Sequence, residues 1–295
     1  MNAKKNILFI VNPVSGTGKQ KNIVTQINEF IDKNKFEITV KFTEYAGHAK
    51  EIVSHEHPHF NIIVAVGGDG SVHEIGTSLI YTNTTLGIVP TGSGNGLARH
   101  LKIPVNIQKA LTFLNTITES SFKKIDTVKI NEHFFLGTAG VGFDAHIGWK
   151  FATAPKRGFW SYIKITFKEF FSYKEQHYHL NIDGTPYEVK ALLITIANSN
   201  QYGNNAYISP NAVIDDGYLR IITLKRFPLI YAPLLTYQLF SKKINNSKFV
   251  TELKGKKIKI NAPFPEMHMD GEPILVEKEM NIEVLPKSLN VISNE

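Results

Sequence analysis

The chain contains no cysteine in 295 residues. This absence excludes disulfide bonds, metal sites built on thiolates and a cysteine nucleophile, although it does not identify the cellular compartment. Tandem repeats, low-complexity segments and long Pro/Gly/Ser linkers are also absent. The chain is long for a single core and comfortable for two. We therefore expect two globular domains, joined by a short connection near residue 125.

Long hydrophobic runs are missing as well. The five apolar residues at 7–11 end at Asn12, which favours a buried first strand over a signal sequence. The longest apolar stretch, 227–240, is interrupted by Pro233 and is too short to span a bilayer. These features predict a cytoplasmic protein. The net charge of +7 suits an anionic partner, which could be a nucleotide, an anionic lipid or a nucleic acid.

The first 125 residues alternate between two kinds of pattern. Short apolar or alternating runs predict strands at 6–11, 36–44, 61–66 and 86–90, and helical patterns separate them. Strands alternating with helices at this spacing predict a doubly wound α/β domain with a parallel sheet. In such sheets, ligands bind beyond the carboxyl ends of the strands.

Three glycine-rich segments each follow a predicted strand and precede a helix: NPVSGTG (12–18), GGDGS (67–71) and PTGSGNG (90–96). Glycine allows backbone N–H groups to approach phosphate oxygens, and the following helix adds its positive end. Gln20 excludes a P-loop and Leu97 excludes the GxGxxG fingerprint, so both familiar nucleotide folds are disfavoured. Together the segments still predict a nucleotide site. Because the Asp69 carboxylate would repel a phosphate, we interpret Asp69 as a magnesium ligand or as a group directed at a hydroxyl of the substrate.

The second half, residues 126–286, changes character. Alternating strands and turns predict an antiparallel β-sandwich, and residues 287–295 could return to the first domain. One helix is predicted at 149–174, with aromatic and aliphatic residues on one face: Trp160, Ile163, Phe167, Phe170 and Phe171. Such a basic, aromatic helix could lie in a membrane interface or pack on the sandwich.

Acidic residues stand beside glycine in two further motifs, IDDGYL (214–219) and HMDGEP (268–273). Taken alone, each is also consistent with an ordinary Asp-Gly turn.

These motifs, in this order, resemble those of the diacylglycerol kinase-like lipid kinases, which include bacterial diacylglycerol kinases, sphingosine kinases and ceramide kinases. GGDG alone is shared with NAD kinases and phosphofructokinases, whereas the ordered set is more specific and covers nearly the whole chain. The resemblance implies an ATP- and Mg²⁺-dependent kinase of lipid metabolism and phospholipid biosynthesis. Its γ-phosphate would pass to a lipid hydroxyl, of diacylglycerol or a sphingoid-type acceptor. ATP would lie in the cleft between the two domains, and the enzyme would work at the inner membrane face.

The resemblance also implies roles for individual residues. It implies nucleotide binding by Asn12, Pro13, Ser15, Gly16, Thr43, Gly67, Gly68, Asp69, Gly70, Ser71, Glu74, Thr91, Gly92, Ser93 and Asn95. Asp270 matches the general base, with Asp69 as a second catalytic group, and Glu272 matches a carboxylate linked to magnesium. Asp215, Asp216 and the carbonyl of Leu219 fall where the bacterial enzymes hold a structural magnesium, with the register open by one residue.

Departures from the bacterial pattern leave the acceptor lipid open. Gly96 and Leu97 replace the usual Asp-Phe pair, and His73 replaces an asparagine, as on the sphingosine kinase side of the family. Asp144 lies near the region that meets the lipid head group in those enzymes. Its carboxylate would suit an ammonium head, but an internal turn or a helix-capping role is an equal alternative.

Two other functions compete with this interpretation. One is a soluble NAD kinase-like kinase, against which the aromatic helix and MDGEP argue. The other is a non-catalytic protein that binds lipid or nucleotide, against which the intact Asp69, Asp270 and Glu272 argue. We expect a lipid substrate at a membrane surface, peripheral membrane contact and no nucleic-acid partner. The oligomeric state is left open, with a homodimer as one candidate.

Overall fold

The computed structural model describes residues 4–15, 22–152 and 159–294, without the side chains of 151–152 and 159–163. The chain divides into two compact units. The first comprises Met1–Thr127, Gly203–Asn205 and Pro286–Glu295, and the second comprises Val128–Tyr202 and Ala206–Leu285.

The first unit is built on a parallel sheet. Its strands are β1 (Lys5–Val11), β2 (Phe36–Phe42), β3 (Ile62–Gly67) and β4 (Thr85–Pro90), in the order β2-β1-β3-β4. Its helices are α1 (Ile23–Phe30), α2 (His48–Glu56), α3 (Asp69–Ser78), α4 (Gly96–His100) and α5 (Ile107–Leu114). Every residue of β3 and β4 is buried, as apolar runs covered on both faces require. The predicted α/β class is confirmed.

Helix α3 begins at Asp69, inside the GGDGS segment that the sequence pattern placed before the helix. Gly68 is extended and precedes the helix, so Asp69 and Gly70 form its first turn. An aspartate in the first turn is favourable because the helix dipole is positive there. The GGDG segment is therefore partly helical.

The second unit contains two antiparallel sheets. Its strands are β5 (Phe122–Ile130), β6 (His133–Phe135), β7 (Thr138–Gly142), β8 (Gln176–Ile182), β9 (Thr185–Ala191), β10 (Leu193–Ala197), β11 (Leu219–Leu224), β12 (Val250–Gly255), β13 (Lys257–Asn261), β14 (Glu266–Met269), β15 (Glu272–Leu275) and β16 (Glu279–Ile292), where the start of β5 and the end of β16 belong to the first unit. One sheet has the order β12-β11-β10-β7-β14-β15, and the other contains β16-β13-β8-β9. Side chains of both sheets share one buried core, which confirms the predicted β-sandwich.

Three helices accompany these sheets: α6 (Phe143–Ala152), α7 (Phe159–Ser172) and α8 (Ala232–Phe240). The prediction of a single helix from 149 was wrong, because β7 ends at Gly142, which has φ 100°, and α6 begins directly after it. Among the described residues, no helix has the length and apolar character needed to cross a membrane.

The predicted aromatic face of α7 is divided. Phe170 is buried at 8% exposure in a cluster with Phe143, Ile147 and Leu192, whereas Phe167 and Phe171 are 56% and 58% exposed. The side chains of Trp160 and Ile163 lie outside the description. Phe170 therefore anchors the helix to the second unit.

Candidate active site

The carboxyl ends of all four parallel strands adjoin one another in the first unit. The amide of Thr43, after β2, donates to the Val11 carbonyl at 2.9 Å, and the amide of Asn12, after β1, donates to that of Val66 at 3.1 Å. The amide of Thr91, after β4, donates to the Gly67 carbonyl at 2.9 Å. The structure thus brings the predicted nucleotide-binding segments to one edge of the sheet, which we call the carboxyl edge.

Side chains connect the first segment to the other two. Asn12 Nδ2 donates to Ser71 Oγ at 3.3 Å, and the hydroxyls of Ser15 and Thr91 lie 3.0 Å apart. Pro13 and Ser93 are exposed at this edge. Gly16 lies outside the described residues. Four of the predicted residues therefore form one hydrogen-bonded set.

Asp69 links the second segment to the third. Its Oδ1 accepts the amide of Gly96 at 2.7 Å, and its Oδ2 accepts that of Asn95 at 2.9 Å. Asn95, at φ 53°, in turn donates from Nδ2 to the Gly92 carbonyl at 2.7 Å. The amides at the start of α4 compensate the Asp69 charge, which explains how a carboxylate is accommodated in this segment.

Gly92 is required by a close backbone contact. A Cβ on Gly92 would lie 2.7 Å from the Cα of Gly68 and 3.0 Å from Asn95 Oδ1. The first distance is shorter than real Cβ contacts, and its partner is backbone that cannot move aside. The glycines therefore let the second and third segments pack against each other.

Helix α3 offers backbone donors at the carboxyl edge. The amides of Gly70 and Ser71 are in its first turn, where an α-helix has no carbonyl of its own to pair with them. Later in the helix, Glu74 Oε1 accepts the amide of Gly47 at 3.0 Å. Glu74 thus holds the segment that follows Thr43. The start of α3 is a favourable position for a phosphate.

The sequence analysis missed the segment Gly203–Asn205, which belongs to the first unit. The Gly94 carbonyl accepts the Asn204 amide at 2.9 Å and Arg99 Nε at 3.0 Å. All three residues of the segment have positive φ, a conformation that Gly and Asn tolerate best. The sequence Gly-Asn-Asn indicates a turn, but it does not indicate that the turn contacts Gly94 and Arg99.

In the second unit, Asp270 and Gly271 form the turn between β14 and β15, with φ 48° and 89°. Asp270 Oδ1 accepts the amides of Gly137 and Thr138 at 2.7 and 3.2 Å, and Oδ2 accepts that of Leu136 at 3.0 Å. Three backbone donors fix the carboxylate in one position. Glu272, at the start of β15, is exposed.

Asp144 is part of a buried polar cluster beside this hairpin. Its Oδ2 lies 3.0 Å from His268 Nε2 and 3.3 Å from the Tyr202 hydroxyl, which contacts the Thr195 hydroxyl at 2.5 Å. A Cβ on Gly140 would lie within 2.6 Å of both Asp144 and His268, so this glycine makes room for the pair. His268 stands two residues before Asp270 on β14, and the sequence analysis assigned it no role.

Two tyrosines in the same unit are held neutral. Burial, with the charges of Asp144 and Glu266 adding to it, raises the pKa of Tyr173 to about 12. Burial also raises the pKa of Tyr178. Both hydroxyls therefore remain donors at neutral pH.

The residues proposed for a structural magnesium make other contacts. Asp216 Oδ2 lies 2.8 Å from Arg220 Nη2 and 3.3 Å from Lys254 Nζ, and Asp215 is exposed. Burial alone would raise the pKa of Asp216, but the Arg220 hydrogen bond and charge lower it below its ordinary value. Glu252 Oε1 is 3.6 Å from Arg220 Nε.

No group of three or more His, Cys, Asp or Glu side chains in the described ranges could hold a metal ion. Because protein cations already pair with Asp216, its surroundings, including the adjacent Leu219, do not fit a structural magnesium site. We derive no role for such an ion.

Two family models match the chain. The model of the diacylglycerol kinase catalytic domain matches residues 6–130. The model of the YegS C-terminal NAD kinase β-sandwich-like domain matches residues 137–293, which is more than half of the chain. The chain belongs to the diacylglycerol kinase family. The expected family resemblance is confirmed, and both halves of the chain contribute to it.

Individual relatives agree with this assignment. A diacylglycerol kinase from Bacillus subtilis is 25% identical over 91% of this chain and 90% of its own. A diacylglycerol kinase from Staphylococcus aureus is 26% identical over 91% of this chain and 86% of its own. A crystal structure described as a diacylglycerol kinase from Bacillus anthracis has a TM-score of 0.76 at 24% identity, covering 100% of this chain and 98% of that one. At that identity, the crystal structure shows a shared fold.

Proposed function

We propose that this family member is an ATP- and Mg²⁺-dependent lipid kinase that transfers the γ-phosphate of ATP to the hydroxyl of a membrane lipid. The observation that carries the proposal is the carboxyl edge, where three glycine-rich segments are held together by Asp69, Asn12 and Ser15. Phosphoryl transfer needs positioning and charge neutralisation more than covalent chemistry. The backbone donors of the carboxyl edge provide the positioning.

The polyphosphate of ATP would bind the amides of the first turn of α3 and of residues 92–94. Since the Asp69 carboxylate is engaged by the Asn95 and Gly96 amides, its role here is to position the third segment. Thr43 and the Ser15–Thr91 hydroxyl pair add polar contacts at the same edge. Asp69 is thus a positioning residue in this proposal, rather than a magnesium ligand.

Magnesium usually binds proteins through one or two carboxylates and keeps waters and substrate phosphates as its other ligands. The exposed Glu272 carboxylate, one residue after the Asp270–Gly271 turn, fits that sparse requirement. When bound, the ion would neutralise charge on the triphosphate. Asp270 would accept the proton of the attacking hydroxyl, from a carboxylate that the three amides hold in place.

The acceptor head group would lie beside Asp144, His268 and Tyr202. A carboxylate, an imidazole and a hydroxyl can orient an alcohol through hydrogen bonds, and His268 stands on β14 two residues before the proposed base. This arrangement is compatible with a glycerol-type or an amino-alcohol head. We propose action at the cytoplasmic membrane face, which a bilayer-resident acceptor requires.

A panel of hydroxyl acceptors tests the proposal. The chain would be incubated with Mg²⁺ and ATP radiolabelled in the γ position, with diacylglycerol, ceramide or sphingosine in mixed micelles, or with NAD in solution. We expect label in a lipid product and none in the soluble product. Label in NAD alone would support the soluble kinase, and no label in any acceptor would favour a protein that binds without catalysis.

A further inference from the structure

The segment 229–240 presents an unusual helix to solvent in the second unit. A 3₁₀ turn at Leu229–Tyr231 leads into α8, and Pro233 stands in its first turn, where proline is tolerated. The inward side of α8 is anchored by Leu235, which is 8% exposed. At Leu239, the backbone carbonyl accepts the Tyr207 amide at 3.0 Å. The helix is thus fixed to the fold from one side.

The outward side of this segment is apolar too. Ile230, Leu234 and Tyr237 follow one another at spacings of four and three residues, which places them on one helical face. Five large apolar side chains are exposed here: Leu229 (37%), Ile230 (83%), Leu234 (49%), Tyr237 (58%) and Phe240 (50%). We call these five residues the α8 surface. A cluster of exposed apolar side chains of this kind marks an interaction site, so the α8 surface calls for a covering partner.

The charged residues of the segment that carries the α8 surface have one sign. Residues 217–251 contain no Asp or Glu, whereas they contain six Lys and Arg residues. Four of these, Lys225, Lys242, Lys243 and Lys248, are exposed. Lys248 Nζ lies 4.6 Å from the ring centroid of Tyr231, which holds the cation at the border of the apolar face. The surface is therefore hydrophobic at its centre and cationic at its edge.

We propose that the α8 surface inserts into the interface of a bilayer that contains anionic lipid. Such a bilayer offers hydrocarbon to the apolar residues and negative head groups to the lysines. A second copy of the chain fits less well, since a two-fold contact would bring the same lysines of both copies together. The proposal rests on the proposed function, because a lipid kinase must meet its acceptor in a bilayer.

The α8 surface differs from the aromatic helix that the sequence suggested. Among the α7 side chains that the structure describes, the rings of Phe167 and Phe171 are exposed, with centroids 5.2 Å apart. Phe170 packs against Phe227 at 5.0 Å, and Phe227 immediately precedes the 228–240 stretch. This packing connects both exposed regions within the second unit. Lys164 and Lys168 are also exposed on α7, but that helix includes the carboxylate of Glu169, whereas the segment 217–251 contains no acidic residue.

Co-sedimentation with vesicles tests the inference. Vesicles of 70% phosphatidylcholine and 30% phosphatidylglycerol would be compared with pure phosphatidylcholine, using the full chain and the double variant Ile230→Ser/Leu234→Ser. Both side chains are exposed, so the variant should fold with an unchanged Tm. We expect the native chain to prefer anionic vesicles and the variant to bind them at least about tenfold more weakly. The matched control is Tyr81→Ser/Val105→Ser, which removes exposed apolar residues of the first unit (71% and 46% exposed) and should bind as the native chain.

A second variant and an activity readout complete the test. Lys242→Glu/Lys243→Glu should lose the preference for anionic vesicles without losing fold. Turnover of a monomeric short-chain diacylglycerol should be native in both variants, which separates docking from catalysis. Native vesicle affinity in both variants would overturn the inference, as would a dimer that Ile230→Ser/Leu234→Ser dissociates. A native chain that binds anionic vesicles but phosphorylates no acceptor would refute the proposed function and leave the α8 surface standing.

Discussion

The carboxylate of Asp69 accepts the backbone amides of Asn95 and Gly96, at 2.9 and 2.7 Å. Asp69 stands in the first turn of α3 and its two partners stand at the start of α4, so one side chain fixes two helix beginnings at the carboxyl edge. The aspartate of GGDG is therefore explained by the backbone it organises. Loss of the Asp69 carboxylate should first change the geometry of the third glycine-rich segment.

Substitution of Asp69 by Asn tests this role. The variant keeps the shape of the side chain but replaces an acceptor oxygen by an NH₂ group that faces an amide donor. The free energy of unfolding should therefore fall by about 1–3 kcal/mol. The kcat/KM for ATP should fall by about 10²-fold, because the phosphate-binding backbone is displaced. Urea unfolding and steady-state kinetics would measure both. As a control, Asp32→Asn alters a half-buried aspartate that accepts the Asn34 amide at 2.9 Å and should leave ATP kinetics unchanged.

Gly92→Ala tests the contact between the second and third segments. The new methyl group would meet the Gly68 Cα at 2.7 Å, so the two backbones must separate. We expect overpacking to cost about 1–3 kcal/mol of stability and ATP affinity to fall more than stability alone explains. In Gly148→Ala, the added methyl meets open space within α6, and the change should be neutral or stabilising. Equal ATP affinity in both variants, measured by calorimetry, would rule out the close contact as a determinant of binding.

Asp270→Asn separates chemistry from turn structure. We expect kcat to fall by about 10²–10⁴-fold with nearly native ATP affinity, since a positioned base is lost. Stability should also fall, because three amides lose a carboxylate. A matched control exists in Asp183, whose turn with Gly184 has φ 50° and 89° and whose Oδ1 accepts the Lys257 amide at 2.9 Å. Asp183→Asn should lower Tm similarly and leave kcat intact; an equal loss of kcat would show that Asp270 acts only through the fold.

Metal removal tests the contacts of Asp216. Because Arg220 and Lys254 already pair with this carboxylate, the nucleotide-free chain should melt at the same Tm in EDTA and in millimolar Mg²⁺. Arg220→Met should lower Tm by leaving Asp216 and Glu252 without their shared cation. If the Tm of the native chain falls in EDTA and recovers with Mg²⁺, the structural magnesium that the family resemblance implied would be supported.

Local patterns predicted the architecture well. Apolar runs, glycine positions and helical periodicity identified β1, β3, β4 and the three segments of the carboxyl edge, because each signal lies within a dozen residues. The ends of parallel strands then bring the segments together without further information. The α/β first half and the β-sandwich second half were predicted correctly for this reason.

Long-range partners could not be read from these patterns. The hydrogen bond between Asp69 and Gly96 joins residues that are 27 positions apart in the sequence. The hydrogen bond between Arg99 and Asn205 joins residues that are 106 positions apart. A helical stripe on α7 likewise cannot say which of its residues the sandwich covers, so the pattern grouped the buried Phe170 with the exposed Phe167 and Phe171. Similarly, the sequence does not indicate that Arg220 on β11 also lies near Glu252 on β12.

The claim that the carboxyl edge holds the polyphosphate is tested most directly by a crystal structure with a non-hydrolysable ATP analogue and Mg²⁺. We expect phosphate oxygens within hydrogen-bond distance of backbone amides in residues 68–71 and 92–94, with Asp69 still bound to the amides of Asn95 and Gly96. An analogue bound elsewhere, or an Asp69 that leaves those amides to coordinate the ion, would contradict it.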